Sequence, residues 1–320
     1  MLKKINFFFL LLIISLLIGS FGKEKNITAY ITNQGSNKLD IIDLKKREKI
    51  NEINLGKDPA GIFIDKSNEI IYISNPSSHN ISKININDLS HEFIPGGKSP
   101  MSLYFSTSNN FLLVTNWYDN EISAIDVNSK KIIKKISVGK SPAGIYVDEK
   151  KKMAFVANRD DNTVSVVDLN ELVETKKITV GKAPYGIFSD KLIDIIFVTN
   201  VQSSSITLIN KKSLRVIDHI KVGKWPYQIA FEKTKKLLYV SNQRDNSISV
   251  IDLNQRKNVR TLENVCEYPE GIDISYDENL LIVACWFDDN IILLDLNSNK
   301  LIKKITVSGG PRAFGKFVVE

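Results

Sequence analysis

Residues 222–253 read VGKWPYQIAFEKTKKLLYVSNQRDNSISVIDL, and most of the chain is a variant of that stretch. Gly-Lys-x-Pro recurs at residues 56–59, 97–100, 139–142, 181–184 and 223–226, with degenerate copies ending at Pro269 and Pro311. A second series keeps step with it: Asn33, Asn75, Asn116, Asn158, Asn200 and Asn242, with Cys285 in the seventh place. A third runs Asp43, Asn85, Asp126, Asp168, Asn210, Asp252 and Asp295. Three marks held in phase over seven units define an internal repeat of about 42 residues, and such a repeat governs every local reading.

Each mark has an expected physical role. Glycine takes φ > 0 without a steric penalty and would end one strand, while proline, with fixed φ and no N–H, would open the next where no ladder donor is needed. The repeated Asn closes an apolar run and is followed by Asp and Asn, residues that bond the backbone ahead of them in turns. Between the turns lie four short runs rich in Ile, Val, Leu, Tyr and Phe, several apolar on both faces, as for strands covered on both sides. Four strands in 40 to 45 residues is one propeller blade. The fold class is therefore all-β, a seven-bladed β-propeller of four-stranded antiparallel blades.

The blade count also predicts how the ring closes. Full units follow Pro59, Pro100, Pro142, Pro184, Pro226 and Pro269, giving six blades. Residues 312–320 offer only an innermost strand, and residues 27–33, 39–44 and 49–55 offer the other three of a seventh, so the two ends are expected to share one blade. Sharing removes free strand edges. The register further places Cys266, where other units carry the turn glycine, beside Cys285, where they carry Asn, so a Cys266–Cys285 disulfide is expected in an exported chain.

The sequence resembles the YVTN-repeat β-propeller family through YISN (72–75), LVTN (113–116), FVAN (155–158), FVTN (197–200) and YVSN (239–242), each followed by a strand such as SVVDL or SVIDL. The resemblance covers nearly everything after residue 26 and implies the fold. For function it implies a range of roles, since propellers of this kind include enzymes, redox-partner subunits and binding modules.

Residues 1–22 are of a different composition. Lys3 and Lys4 precede an apolar run from 7 to 18, and the small residues of 19–22 suit cleavage before Lys23, so a signal peptide is expected, followed by a single propeller over 23–320 and a periplasmic or secreted location. The chain carries 43 Lys and Arg against 36 Asp and Glu, a net of +7, and losing two lysines with the leader leaves +5. Lysines concentrate in the turns after the first and third strands, as at 45–46, 150–152, 211–212 and 235–236, which share one face of a propeller.

Function is sought where copies depart from their consensus, on the face built by the Gly-Lys-x-Pro turns and the turns after the repeated Asn. All three tryptophans fall there, Trp117, Trp225 and Trp286, with Tyr118, Tyr185, Tyr227, Tyr268, Phe287, Arg159, Arg244, Arg312, Gln243 and Met101. Glu270 stands after its proline where other blades place Ala, Met, Tyr or Arg, and pairing with Arg312 of the next blade is expected. The candidate ligand-binding set is Trp117, Arg159, Glu270, Trp286, Phe287 and Arg312. Aromatic rings with a few convergent charges suit an anionic small molecule or a protein partner. Aromatics packing between blades would account for single tyrosines.

His79, His91 and His219 lie in separate blades without ligand spacing, no C-x-x-C-H is present, and the turn aspartates precede Asn as turn chemistry requires. No catalytic residue, metal or cofactor is expected, nucleic acid is not expected as a partner of an exported chain, and a monomer is. Two alternatives follow from the resemblance: a metal-dependent hydrolase of the lactonase type, for which Glu270 alone suits the metal, and a redox-partner subunit of a quinoprotein-type dehydrogenase.

Overall fold

The computed structural model describes residues 27–320; the signal-peptide reading of residues 1–22 lies outside them. Seven antiparallel sheets of four strands form the ring. Blade 5, built from the stretch quoted first, consists of Pro226–Glu232, Leu237–Asn242, Ser247–Asp252 and Lys257–Leu262 from the axis outward. We number blades 1 to 6 by the prolines that precede them, Pro59 to Pro269. Blade 7 joins Thr28–Asn33, Lys38–Asp43 and Glu48–Asn54 to Val318–Val319.

Second and third strands are buried on both sides, which is why they read as continuous apolar runs; outermost strands such as Lys131–Ser137 expose most of their residues and are rich in lysine. Neighbouring blades pack through apolar seams. In one, Phe197, Ile206, Leu208, Ile229 and Val240 pack as a single buried cluster, each large side chain contributing about 2–3 kcal/mol relative to exposure.

The repeated marks resolve into contacts. The Ser or Thr before the Asn joins adjacent blades. Thr199 Oγ1 accepts the Gly186 N–H at 2.8 Å, which the bulged inner strand leaves without a ladder partner, and donates to the Tyr227 carbonyl of the next blade at 3.0 Å. Ser74, Thr115, Ser241 and Thr32 make the same bridge, to Met101, Ala143, Glu270 and Ala60. The Asn amide donates to the Ser or Thr seven residues on, as Asn158 does to Ser165 at 2.7 Å and Asn242 to Ser249 at 3.0 Å. The third series caps turns: Asp126 Oδ1 accepts the N–H groups of Asn128 and Ser129, and these bonds hold its carboxyl below the ordinary range.

The turn aspartates are likewise occupied. Asp119, Asp161, Asp245 and Asp288 each accept the backbone N–H of the second residue of a Gly-Lys-x-Pro turn or its degenerate copy.

Two expectations are corrected. The left-handed residue of Gly-Lys-x-Pro is x rather than glycine: Asp58, Ser99, Ser141, Ala183, Trp225 and Tyr268 have φ between 53° and 59°. Glycine is required because the Asn side chain occupies the place of its Cβ. The final strand is also broken. Pro311 bridges Asn33 and Val318–Val319 pairs with Thr28 and Ala29, but between them the chain bulges inward and Phe314 bridges Gly61 of blade 1. Gln228 holds the bulge through Gly315, and Asp273 Oδ2 accepts the N–H groups of Phe317 and Val318. The Cys266–Cys285 disulfide is present, with Cα atoms 5.8 Å apart.

Candidate functional site

The inner strands present one residue each to the axis just after the proline: Ala60, Met101, Ala143, Tyr185, Tyr227, Glu270 and Arg312. Ala60, Met101 and Ala143 are apolar. Tyr185, Tyr227, Glu270 and Arg312 form a connected set. Arg312 donates through Nε to the Tyr227 hydroxyl at 2.7 Å, through one terminal nitrogen to Tyr185 at 2.8 Å and through the other to Gln34 Oε1 at 2.9 Å. Glu270 Oε2 lies 3.5 Å from Arg312 Nε, and its Oε1 accepts from Gln243 Nε2 at 2.8 Å.

Burial pushes the Glu270 carboxyl up to about 7, and the Arg312 charge pulls the other way without overcoming it. Burial likewise raises the Tyr227 hydroxyl well above its usual value. The axis is filled at this level. Phe314 packs against Tyr185 and Tyr227, ring centroids 5.1 and 5.2 Å away, within a buried cluster that includes Met101 and Ala143. The axis is thus closed at this level by a floor whose polar centre is Arg312 and Glu270.

Above the floor stands a rim of aromatic and cationic pairs. The Arg159 guanidinium lies 5.9 Å from the Trp117 ring and 2.8 Å from Asp160, and Trp117 reaches Tyr185 at 6.1 Å. Arg244 stacks on Trp225 at 3.6 Å. Trp286, Phe287 and Tyr268 form an edge-to-face cluster on blade 6, with Phe287 56% exposed and the Trp286 indole N–H buried without a hydrogen-bond partner among the described residues.

The six candidate residues therefore fall into three pairs: Arg312 with Glu270, Trp117 with Arg159, and Trp286 with Phe287. Tyr185 links the first two. Trp225 with Arg244 forms a matching stack. Phe314 was not signalled, because the final strand leaves the repeat geometry there; Gln34 stands in register directly after Asn33, but a neutral amide at that place gave no signal of its own.

Of the seven residues after the prolines, Glu270 alone is a carboxylate, and its nearest charged neighbour is a cation, so these residues do not fit a hard metal ion, which needs several converging oxygens. Among the described residues, the grouping of three potential ligands is Cys266, Cys285 and Asp288, and its two sulfurs are joined to each other.

A family model for YNCE-like beta-propellers matches residues 65–152 and 149–238, together more than half of the chain. A model described as a lactonase, 7-bladed beta-propeller, matches residues 195–308. No curated protein matches the chain significantly. Among solved structures, a functionally unknown protein from Desulfotomaculum acetoxidans DSM 771 has a TM-score of 0.78 at 14% identity, covering 92% of this chain and 98% of that one. Dihydro-heme d1 dehydrogenase NirN, in complex with DHE, gives 0.69 at 11% identity, covering 89% and 74%. Hydrazine synthase of Kuenenia stuttgartiensis gives 0.71 at 17% identity, covering 82% and 91%. At these identities the likeness is one of fold.

Proposed function

This chain belongs to the YNCE-like beta-propeller family, and from that premise we propose that it is an exported binding module whose aromatic and arginine-bearing face recognises an anionic ligand or a protein partner. The observation that carries the reading is the Arg244 guanidinium stacked on Trp225, with Arg159 at cation–π distance from Trp117, both above the closed floor of Tyr185, Tyr227 and Arg312. Arg159 already shares one terminal nitrogen with Asp160, whereas the Arg244 guanidinium on the Trp225 ring has outward N–H groups to offer a carboxylate, sulfonate or phosphate, while the exposed rings meet the apolar part of the ligand.

Arg312 and Glu270 act in this reading as the polar floor. Three of the Arg312 donors are bonded within the protein, so it orients Tyr185 and Tyr227 beneath Trp117. The match to the lactonase model favours a hydrolase as second reading, but the Glu270 surroundings supply a counter-cation where that chemistry would need further oxygen ligands.

The test is affinity capture from periplasmic extract, with mass spectrometry of proteins and small molecules, using the wild type and single variants. Trp117→Ala and Arg244→Ala are each expected to weaken binding of the captured species by about 1–3 kcal/mol, the range of a hot-spot residue. Lys151→Ala, on the opposite face, should leave binding intact. Loss with Lys151→Ala and retention with the other two would move the site to the opposite face.

A further inference from the structure

On the face opposite the Trp–Arg rim, the inner strands enclose a cavity of about 1080 Å³. Phe314 and Gly315 are among its lining residues, so the C-terminal bulge that seals one side of the axis is also the bottom of this funnel. Four rings line it in succession, Phe63, Tyr104, Tyr146 and Phe188, each four residues past the proline of blades 1 to 4. Phe63 and Tyr104 are in contact, with centroids 4.7 Å apart. Each of the four is only partly buried, leaving ring surface toward the space.

The charges in the funnel are not equivalent. Its carboxylates are engaged by the protein itself: Glu149 bonds the Thr107 N–H and the Ser108 hydroxyl, and Asp190 accepts the Leu192 N–H. Asp273, at the blade 6 position matching the four rings, takes three backbone N–H groups, from Ile274, Phe317 and Val318. Lys316 has no such engagement. Its ammonium lies 5.6 Å from the Phe188 ring centroid, and among the described residues it forms no ion pair within 4 Å, although Asp273 feels its charge. Lys66, Lys150 and Lys191 also line the cavity, and Lys211, 5.9 Å from the Tyr146 ring centroid, donates to the Asp190 carbonyl at 3.0 Å. Lys316 is the lining ammonium that both lies over a lining ring and keeps its three donors, an arrangement complementary to a flat ring system carrying an acidic group.

We propose that this funnel is a second binding site, distinct from the rim, for a small planar aromatic molecule bearing a single carboxylate or sulfonate. The rings pack on the apolar body, and Lys316 bonds the anionic group beside Phe188.

Equilibrium dialysis of the full mature chain with 8-anilinonaphthalene-1-sulfonate, a planar aromatic monoanion, and with uncharged N-phenyl-1-naphthylamine tests this. The expected result is one equivalent of the anion, weakened about fivefold or more by Lys316→Gln, in line with losing a charge-assisted contact at a partly desolvated site. The uncharged probe should bind Lys316→Gln and wild type alike. Phe188→Leu should weaken both probes, and Arg244→Ala neither. Lys316 is exposed, so Lys316→Gln tests the charge even where Phe188→Leu lowers stability. Equal anion binding by wild type and Lys316→Gln, or loss of binding in Arg244→Ala, overturns the proposal. Because the rim variants are read separately, failure here leaves the rim reading standing, and the reverse.

Discussion

The side chain of Asn158 fills the space that a Cβ on Gly139 would need: built there, that atom would lie 2.6 Å from Asn158 Cγ. The same holds for Gly56 with Asn75, Gly97 with Asn116, Gly181 with Asn200 and Gly223 with Asn242. Two sequence series 19 residues apart are thus one contact repeated around the ring. Asn158 is pinned by Thr163 and Ser165 and has little freedom to withdraw. Gly139→Ala should therefore cost about 1–3 kcal/mol, as overpacking of a filled site does. Urea unfolding measures it, and a loss too small to resolve would mean that the turn relaxes freely.

In blade 6 a covalent bond replaces this contact, with Cys266 in the glycine place and Cys285 in the asparagine place. Changing both to Ala should destabilise by about 3 kcal/mol, the chain-entropy value for a loop of roughly 20 residues. The variant Cys266→Gly, Cys285→Asn restores the residue pair used elsewhere, but the buried Ile292 stands where the Asn amide finds Ser165 in blade 3. The amide is left without that acceptor, so the variant should melt no higher than the double Ala variant. A melting point well above it would show that the glycine–asparagine contact stabilises without the hydroxyl.

Blades 3 and 6 lack the hydroxyl that bridges to the next blade, having Ala157 and Ala284 where Thr199 stands in blade 4. In blade 3 the groups that hydroxyl would join are the Gly144 N–H and the Tyr185 carbonyl. Ala157→Thr should supply both bonds and raise stability by about 1 kcal/mol, the usual net value of a buried hydrogen bond. Thr199→Ala should lose a similar amount or more. A destabilised Ala157→Thr would indicate that the seam between blades 3 and 4 is too tight for two added atoms.

The ring, its strands, the shared blade and the disulfide were legible because each follows from residues at a fixed period. The left-handed residue was not: Gly223 and Trp225 lie two positions apart, and glycine suits both a missing Cβ and a positive φ. Only the proximity of Asn242 shows which property is used. The Glu270–Arg312 pair could be read from adjacent blades at one repeat position. The bond from Arg312 to Tyr185 could not, since it crosses the axis between blades 7 and 4 and depends on the bulge that brings Phe314 inward.

Glu270 should make stability depend on pH. Its folded-state carboxyl sits at about 7 against an ordinary 4.5, chiefly through burial. The folded state thus holds the proton more tightly than the unfolded chain. The contribution is fully present below pH 4.5 and is lost as pH rises through 7. The span corresponds to a difference on the order of 3 kcal/mol. Glu270→Gln should flatten this part of the profile, so the melting temperature of the wild type relative to Glu270→Gln falls between pH 5 and 7.5. Parallel profiles for the two proteins would show that Arg312 holds Glu270 ionised throughout.

The last strand has two roles that mutation can separate. Val318 and Val319 complete the ladder on Ala29 and Thr28, and the Phe317 carbonyl accepts the Tyr30 N–H at 2.9 Å. Removing residues 312–320 exposes that inner edge, strips Asp273 of two N–H donors and empties the axis at once. Free strand edges pair with other chains, so the truncated protein should elute as aggregate or melt far below the full chain. Phe314→Ala keeps every backbone bond of closure and removes only the ring between Tyr185 and Tyr227. It should stay monodisperse and lose about 3–4 kcal/mol, the cost of a cavity left by a buried aromatic side chain. A truncated chain that melts with the full-length protein would overturn the closure, and a Phe314→Ala variant of unchanged stability would overturn the plug while leaving closure intact.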